Sequence, residues 1–263
     1  MNDPATAAPQ QTSGQPLAGK IALVTGGSRG IGRAIALKLA GAGSDAVIIY
    51  HNSHEEAEAV CTTIHELGRR AQAFQADVSE PELVSEVVGS VREQFGRVDI
   101  LVSNAAVGVL RPVLELSLKH WRRCLETNAL ALNLLAQQVV PIMPPGGRII
   151  AISSLGAWRA IPQYAFIGAS KAALESLARS LAQELGPRGI RVNVISAGVV
   201  DTDALKYFPN REQLLAEFGR RAPAGPTLTV EDVAGAVYLL CLPEAGMITG
   251  QTLVVDAGYC ISG

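Results

Sequence analysis

Short apolar-rich runs alternate along this chain with longer stretches whose apolar residues recur at helical spacing. The predicted strands are Ile21–Val24, Ala46–Tyr50, Ala71–Gln75, Ile100–Ser103, Arg148–Ser153, Arg191–Ser196 and Thr252–Val255. Runs such as I-A-L-V and G-R-I-I-A-I are apolar at successive positions, as a strand covered on both faces requires. Helices are predicted near 31–42, 54–67, 81–95, 117–140, 162–185 and 230–242. Alternation of strand and helix predicts an α/β protein built on a doubly wound, Rossmann-type parallel sheet with helices on both faces. No composition break or internal repeat follows Lys20, so residues 19–263 are expected to form a single domain. Residues 1–18, rich in Ala, Pro, Gln, Thr and Gly, are expected to be a flexible tail.

Composition narrows the class. With 48% hydrophobic and 17% charged residues among 263, the chain can bury a large core. A net charge of −2 gives no footprint for nucleic acid. Cys61, Cys124, Cys241 and Cys260 are scattered without a C-x-x-C pair, which argues against a metal site and a disulfide framework and fits a reducing compartment. No basic start followed by an apolar stretch marks a signal peptide, and no segment reaches the roughly 20 apolar residues of a membrane span. A soluble, cytoplasmic protein is expected.

The first predicted strand runs into T-G-G-S-R-G-I-G, residues 25–32, and then directly into a helix. Glycines there let the backbone turn tightly and approach a pyrophosphate at the positive end of the helix. At the first strand-to-helix turn, this pattern predicts dinucleotide binding through Gly26, Ser28, Arg29, Gly30, Ile31 and Gly32. The second strand ends Y-H-N-S, with no acidic residue to select a ribose 2′-hydroxyl. His51, Asn52 and Arg29 instead suit a 2′-phosphate, which favours NADPH over NADH; the alternative is an Arg29 pointing to solvent. Asp77 and Val78 follow the third strand where a side chain touches adenine, although Asp77 or Ser79 could equally cap the next helix. Asn104 and Ala105, in S-N-A-A after the fourth strand, leave room for a cofactor across the strand ends.

Tyr164 and Lys171 are seven residues apart in a predicted helix, so both project from nearly one face. A phenol beside an ammonium is a proton donor with a cation to tune it. An isolated pair of this kind would carry little weight, but T-G-G-S-R-G-I-G, D-V, S-N-A-A, Asn128, I-S-S, A-S-K-A-A-L and V-D-A-G occur together and in order. In this the chain resembles the short-chain dehydrogenase/reductases from Lys20 to its end. The resemblance implies a seven-stranded parallel sheet with three helices on each face and a nicotinamide cofactor. It implies catalytic roles for Ser154, Asn128 and Lys171, with Lys171 also holding the nicotinamide ribose, and cofactor contacts from Gly198 and Thr202. The alternatives are a Ser154 that only caps the loop and an Asn128 that only satisfies a helix irregularity.

One position departs from that family. Its usual tyrosine, thirteen residues after the serine, is Ile167 here, which has no proton to give. Tyr164 restores a phenol in the form Y-x-x-x-x-x-x-K, the spacing of the enoyl-acyl-carrier-protein reductases. S-N-A-A-V-G-V-L-R-P, I-S-S-L-G and D-T-D-A-L-K-Y-F-P-N-R-E are similar to the FabL-type branch of those enzymes. The implied reaction is reduction of a trans-2 double bond in an enoyl thioester by NADPH, as in fatty-acid synthesis. Negative charge then gathers on the thioester oxygen, two carbons beyond the atom that receives hydride. Three residues along a helix displace a donor by about 4.5 Å, a step of the right direction and scale. A ketone reductase and a catalytically silent NADP-binding protein are the alternatives, the latter suggested by Ile167.

The departure continues downstream. Ala197 stands at the family's turn proline, and residues 203–227 form a long excursion expected to be a substrate lid. Lys206, Arg211, Arg220 and Arg221 are either contacts for an acidic acyl carrier protein or for the phosphopantetheine phosphate of a carrier-protein or coenzyme A thioester, or a solvated helix face. Tyr207 and Phe208 either line an acyl tunnel or anchor the lid. Helices 117–140 and 162–185 are apolar over much of their circumference, which suggests subunit contacts and, by family analogy, a homotetramer.

Overall fold

The computed structural model describes residues 14–208 and 211–262, the side chains of Ala204 and Tyr207 excepted. Seven strands form one parallel sheet: β1 (Ile21–Thr25), β2 (Asp45–Tyr50), β3 (Ala71–Gln75), β4 (Ile100–Ser103), β5 (Arg148–Ser154), β6 (Arg191–Ala197) and β7 (Thr252–Val255). Their order across the sheet is β3-β2-β1-β4-β5-β6-β7, with every neighbouring pair parallel. The order reverses between β1 and β4, which opens a crevice at the carboxyl ends of the strands, where ligands bind in open α/β sheets.

The apolar runs read from the sequence are two interleaved faces. In β1, Ala22 and Val24 enter one core with α1 (Gly30–Gly41), α2 (His54–Glu66) and α8 (Val230–Cys241). Ile21 and Leu23 enter the other, with α3 (Pro81–Phe95), α5 (Ala131–Val139) and α6 (Ala165–Leu185). A strand buried on both faces cannot spare alternate positions for polar side chains. Helix ends carry local stop and start signals: Gly96, at φ +81°, follows α3, and a Thr229/Asp232 capping box opens α8. No helix among the described residues is long and apolar enough to cross a membrane.

Three boundaries differ from the sequence-based expectation. Residues 1–13 of the expected tail lie outside the described residues, but Leu17 is buried, 2% exposed, and its amide donates to the Ala42 carbonyl at 2.9 Å. The packed chain therefore begins before Lys20, because one leucine closes the gap beside α1. The predicted helix 117–140 is α4 (Leu118–Leu125), a π-helical turn (Glu126–Leu130) and α5. The last predicted helix before β6 starts at Ala165, not 162, since Gln163 adopts φ +62°.

Candidate active site

The glycine turn after β1 is shaped for an anion. Gly30 sits at φ +55°, a conformation that a side chain disfavours, so the chain swings directly into α1. That helix has no side-chain cap and no acidic residue in its first turn. Its first amides therefore keep their donors for a ligand pyrophosphate. Ser28 is buried, Ile31 packs on the core, and Arg29 is exposed at the N-cap position. Thr202 faces this turn across the cleft: a Cβ on Gly30 would lie 3.8 Å from its methyl carbon.

The loop after β4 is clamped to the same turn. Asn104 Nδ2 donates to the Thr25 carbonyl at 2.9 Å and the Gly26 carbonyl at 3.2 Å, and the amides of Asn104 and Ala105 both donate to Thr25 Oγ1. At the adenine end, His51 and Asn52 are exposed after β2, while Val78 is a buried core residue. Asp77 does not cap α3, and neither does Ser79; Glu80 holds the N-cap position and Pro81 opens the helix. Asp77 instead accepts from the amide and hydroxyl of Ser79. Burial alone would raise its carboxyl, but these bonds and the nearby Arg123 and His51 bring it below the ordinary range.

On the other side of the cleft, β5 ends at Ser154 and the chain turns through Leu155–Ala157 before α6. Tyr164 is the N-cap residue of α6, with φ −108° and ψ 11°, and its carbonyl accepts from the Gly168 amide. It therefore stands just outside the helix, and the displacement estimated from helical rise does not apply as calculated. Its hydroxyl nevertheless reaches Ser154 Oγ at 3.2 Å. Burial pushes the phenol up; the Ser154 bond opposes this and the Cys124 thiol adds to it. A phenol so held keeps its proton at neutral pH. The ring lies against Gly156, where an added Cβ would come within 2.5 Å of two ring carbons, and its centroid is 6.1 Å from that of Phe208.

Lys171 is buried on α6 and donates from Nζ to the Ile152 carbonyl at 2.7 Å. Burial brings its ammonium down to about 8, with the Glu175 carboxylate opposing the fall. Two of its three protons remain for a ligand. Asn128 lies in the π-helical turn. Its Oδ1 accepts from the Val107 amide, and its Nδ2 donates to the Val107 carbonyl and to Ser170 Oγ. Its side chain thus ties the loop after β4 to α6, and its bonds run to Ser170 rather than Lys171. Ile167 is buried against Gly108, where a Cβ would come within 2.2 Å of its terminal carbon. An apolar filler occupies the place of the family's usual phenol.

The excursion after β6 is largely tied down. It comprises a 3-10 turn (Asp203–Tyr207) and α7 (Arg211–Arg221), a helix absent from the sequence-based prediction. Lys206 pairs with Asp203, Arg211 with Asp201 at 2.7 Å, and Arg221 with Glu217 at 2.9 Å. Three of the four cations expected to meet an anionic carrier thus have acidic partners within the chain. Phe218 is the one buried side chain among the described residues of α7; its ring stacks on Tyr259 at 5.4 Å. Gly198 is explained by packing, since a Cβ there would lie 2.8 Å from Asp256 Cβ. The Tyr207 side chain lies outside what is described, whereas Phe208 faces Tyr164.

The sequence reading missed four residues in this site. Thr25 fastens two cofactor loops, Gly156 makes room for the Tyr164 ring, and Ser153 Oγ donates to Glu175 Oε1 at 2.6 Å. Glu175 also accepts from Thr252 Oγ1 at 3.4 Å. Thr25, Ser153 and Gly156 sat within motifs already singled out and Glu175 directly follows one, but only contacts between elements give them roles.

Residues 26–260 match the family model described as "Enoyl-(Acyl carrier protein) reductase". The chain is 41% identical over 244 residues to the 1-cyclohexenylcarbonyl-CoA reductase of Streptomyces collinus, covering 92% of this chain and 87% of that protein. It is 35% identical over 247 residues to the hydroxynaphthalene reductase arp2 of Aspergillus fumigatus, covering 90% of each. A short-chain dehydrogenase from Burkholderia cenocepacia solved with NADP superposes with a TM-score of 0.86 at 40% identity, over 93% of this chain and 99% of that one. A blue fluorescent protein from a metagenomic library, solved with NADPH, gives 0.86 at 38% identity over the same shares. With its switch-point crevice, uncapped glycine turn and buried Lys171, the chain belongs to the short-chain dehydrogenase/reductase family and is an NADP(H)-binding oxidoreductase.

Proposed function

We propose that this protein reduces the carbon–carbon double bond of an α,β-unsaturated acyl thioester. The observation that carries this reading is the exchange at the donor position: Ile167 fills the family's tyrosine site, while the Tyr164 hydroxyl stands on Ser154 Oγ. The 41% identity to a protein named 1-cyclohexenylcarbonyl-CoA reductase supports it, since a 1-cyclohexenylcarbonyl group is an α,β-unsaturated acyl group. NADPH, when bound, supplies the hydride. The uncapped start of α1 would hold its pyrophosphate, Lys171, with two protons to spare, would take the nicotinamide ribose hydroxyls, and Thr202, across the cleft from Gly30, would meet the carboxamide. Tyr164, oriented by Ser154, donates its hydrogen bond and then its proton toward the thioester enolate oxygen. A donor that strengthens as charge develops is typically worth about 3–4 kcal/mol in the transition state.

Coenzyme A is the favoured handle over an acyl carrier protein, because the similar Streptomyces collinus protein is named for a CoA thioester. The groove between Leu125, Leu130 and Leu177 is apolar, which supports subunit contact and a homotetramer. Four free cysteines fit a cytoplasmic setting. The second reading, a ketone reductase, is favoured by the likeness to the hydroxynaphthalene reductase.

The test is NADPH oxidation with crotonyl-CoA and acetoacetyl-CoA, using wild type and Tyr164→Phe. Turnover of crotonyl-CoA is expected, falling about 10²–10³-fold in the variant while NADPH affinity changes little. Turnover of acetoacetyl-CoA alone would reject the proposal.

A further inference from the structure

Behind Lys171, one helical turn along α6, lies a carboxylate that the proposed chemistry does not touch. Glu175 is partly buried between α6 and the sheet. Its Oε1 accepts from Ser153 Oγ on β5 at 2.6 Å, and its Oε2 from Thr252 Oγ1 on β7 at 3.4 Å. Two hydroxyls from two strands thus fix its orientation. Residues four apart on a helix face the same way, so Glu175 stands beside the Lys171 stem. Lys171 in turn is 5% exposed, with Ile152 as its hydrogen-bond partner among the described residues.

We infer that Glu175 is a positioning residue: clamped by Ser153 and Thr252, its carboxylate holds the Lys171 ammonium charged in its buried seat, ready for the cofactor ribose and the Tyr164 proton donor. A buried ammonium with only a carbonyl for company readily loses its proton. Here the ordinary ammonium value of 10.5 has already fallen to about 8, and Glu175 is the charge that resists the fall. Among the described residues packed around Lys171, the other buried titratable groups are the Tyr164 phenol at the start of α6 and the Cys124 thiol on α4. Burial pushes both up, so neither is charged at neutral pH. Lys119, Arg122 and Arg123 of α4 and Arg179 and Glu184 of α6 are exposed to solvent. From β5 and β7, the groups described around the pair are the hydroxyls of Ser153, Ser154 and Thr252. The arrangement also explains why the strand ends S-S: the first serine orients the carboxylate behind the lysine, and the second meets the phenol.

The inference rests on Lys171 acting as the cation of the site, and not on which acyl substrate is reduced. Its test is the pH dependence of NADPH binding by the full-length protein, read by the fluorescence of the bound cofactor without substrate. Without the carboxylate the ammonium is less favoured, so its proton is lost at lower pH. In Glu175→Gln, which keeps the hydrogen-bonding shape, the alkaline loss of affinity is expected to move down by about one pH unit. The ratio of variant to wild-type affinity then falls about tenfold between about pH 6.5 and pH 9. Glu175→Asp, with its charge drawn back by one methylene, is expected to shift the same way by about half as much, and it carries the test if Glu175→Gln does not fold. Binding curves that stay parallel to wild type across this range would overturn the inference, even if both variants were less stable. Failure on crotonyl-CoA would reject the enoyl reading and leave this measurement unaffected.

Discussion

Gly156→Ala isolates the contact that sets the proton donor. Gly156 is not at positive φ, so alanine adopts its backbone without strain. The new methyl, however, would lie 2.5 Å from both Cδ1 and Cε1 of Tyr164. Carbon atoms in contact settle at about 3.5–4.0 Å, so the ring must retreat by about 1 Å. Its hydroxyl is already 3.2 Å from Ser154 Oγ, long for a bond between hydroxyls, and has no slack. Retreat of this size breaks that bond and moves the donor away from the developing oxyanion. Misplacement by about 1 Å costs on the order of 10²-fold in rate, or about 2.7 kcal/mol. Overpacking should lower stability by about 1–3 kcal/mol at the same time. The assay is kcat on the better thioester, with NADPH affinity and a thermal melt as controls. The decisive comparison is made in the Tyr164→Phe background, where the alanine should add less than about twofold, because the donor it displaces is already gone. A Gly156→Ala enzyme with kcat within about twofold of wild type would refute the reasoning.

Lys171→Met should make the protein inactive yet more stable at neutral pH. A folded-state value near 8 against 10.5 for a free lysine means that the buried ammonium destabilises the fold, by ~3 kcal/mol at most. The sign follows from proton binding: between about 8 and 10.5 the unfolded chain holds more protons, so stability rises with pH through that window. Denaturant unfolding at about pH 7 and about pH 9.5 should show the methionine variant's advantage shrinking as pH rises; an advantage that grows would contradict this sign. Phe218→Ala removes the one buried side chain described in α7, at a cost of about 3–5 kcal/mol if the loss is felt by the whole fold. It should loosen residues 211–221 to limited proteolysis and raise KM for the thioester while leaving NADPH affinity unchanged. Equal protease resistance in variant and wild type would show that α7 is held by other means.

Features that depend on neighbours along the chain were legible in the residues alone. Apolar runs located the five central strands, β2, β1, β4, β5 and β6, because a strand covered on both faces favours apolar side chains at successive steps. Alternation with helices located the half-exposed edge strands β3 and β7. The glycine turn was legible because tight backbone geometry restricts residue type locally. Tyr164 and Lys171 stood out through their spacing, although the helix between them begins one residue later than Tyr164. Tertiary structure alone decided the pairings between elements. Glu175 carries no role along the chain and gains one only because β5 and β7 supply hydroxyls from 22 and 77 residues away. Lys206, Arg211 and Arg221 looked free until their acidic partners folded beside them. Leu17 gave no local signal at all, and Gly156, although within I-S-S-L-G, gave none of its role beside the Tyr164 ring. A side chain's role in a buried site is set by the charges and volumes that surround it in space, and chain order does not record those distances.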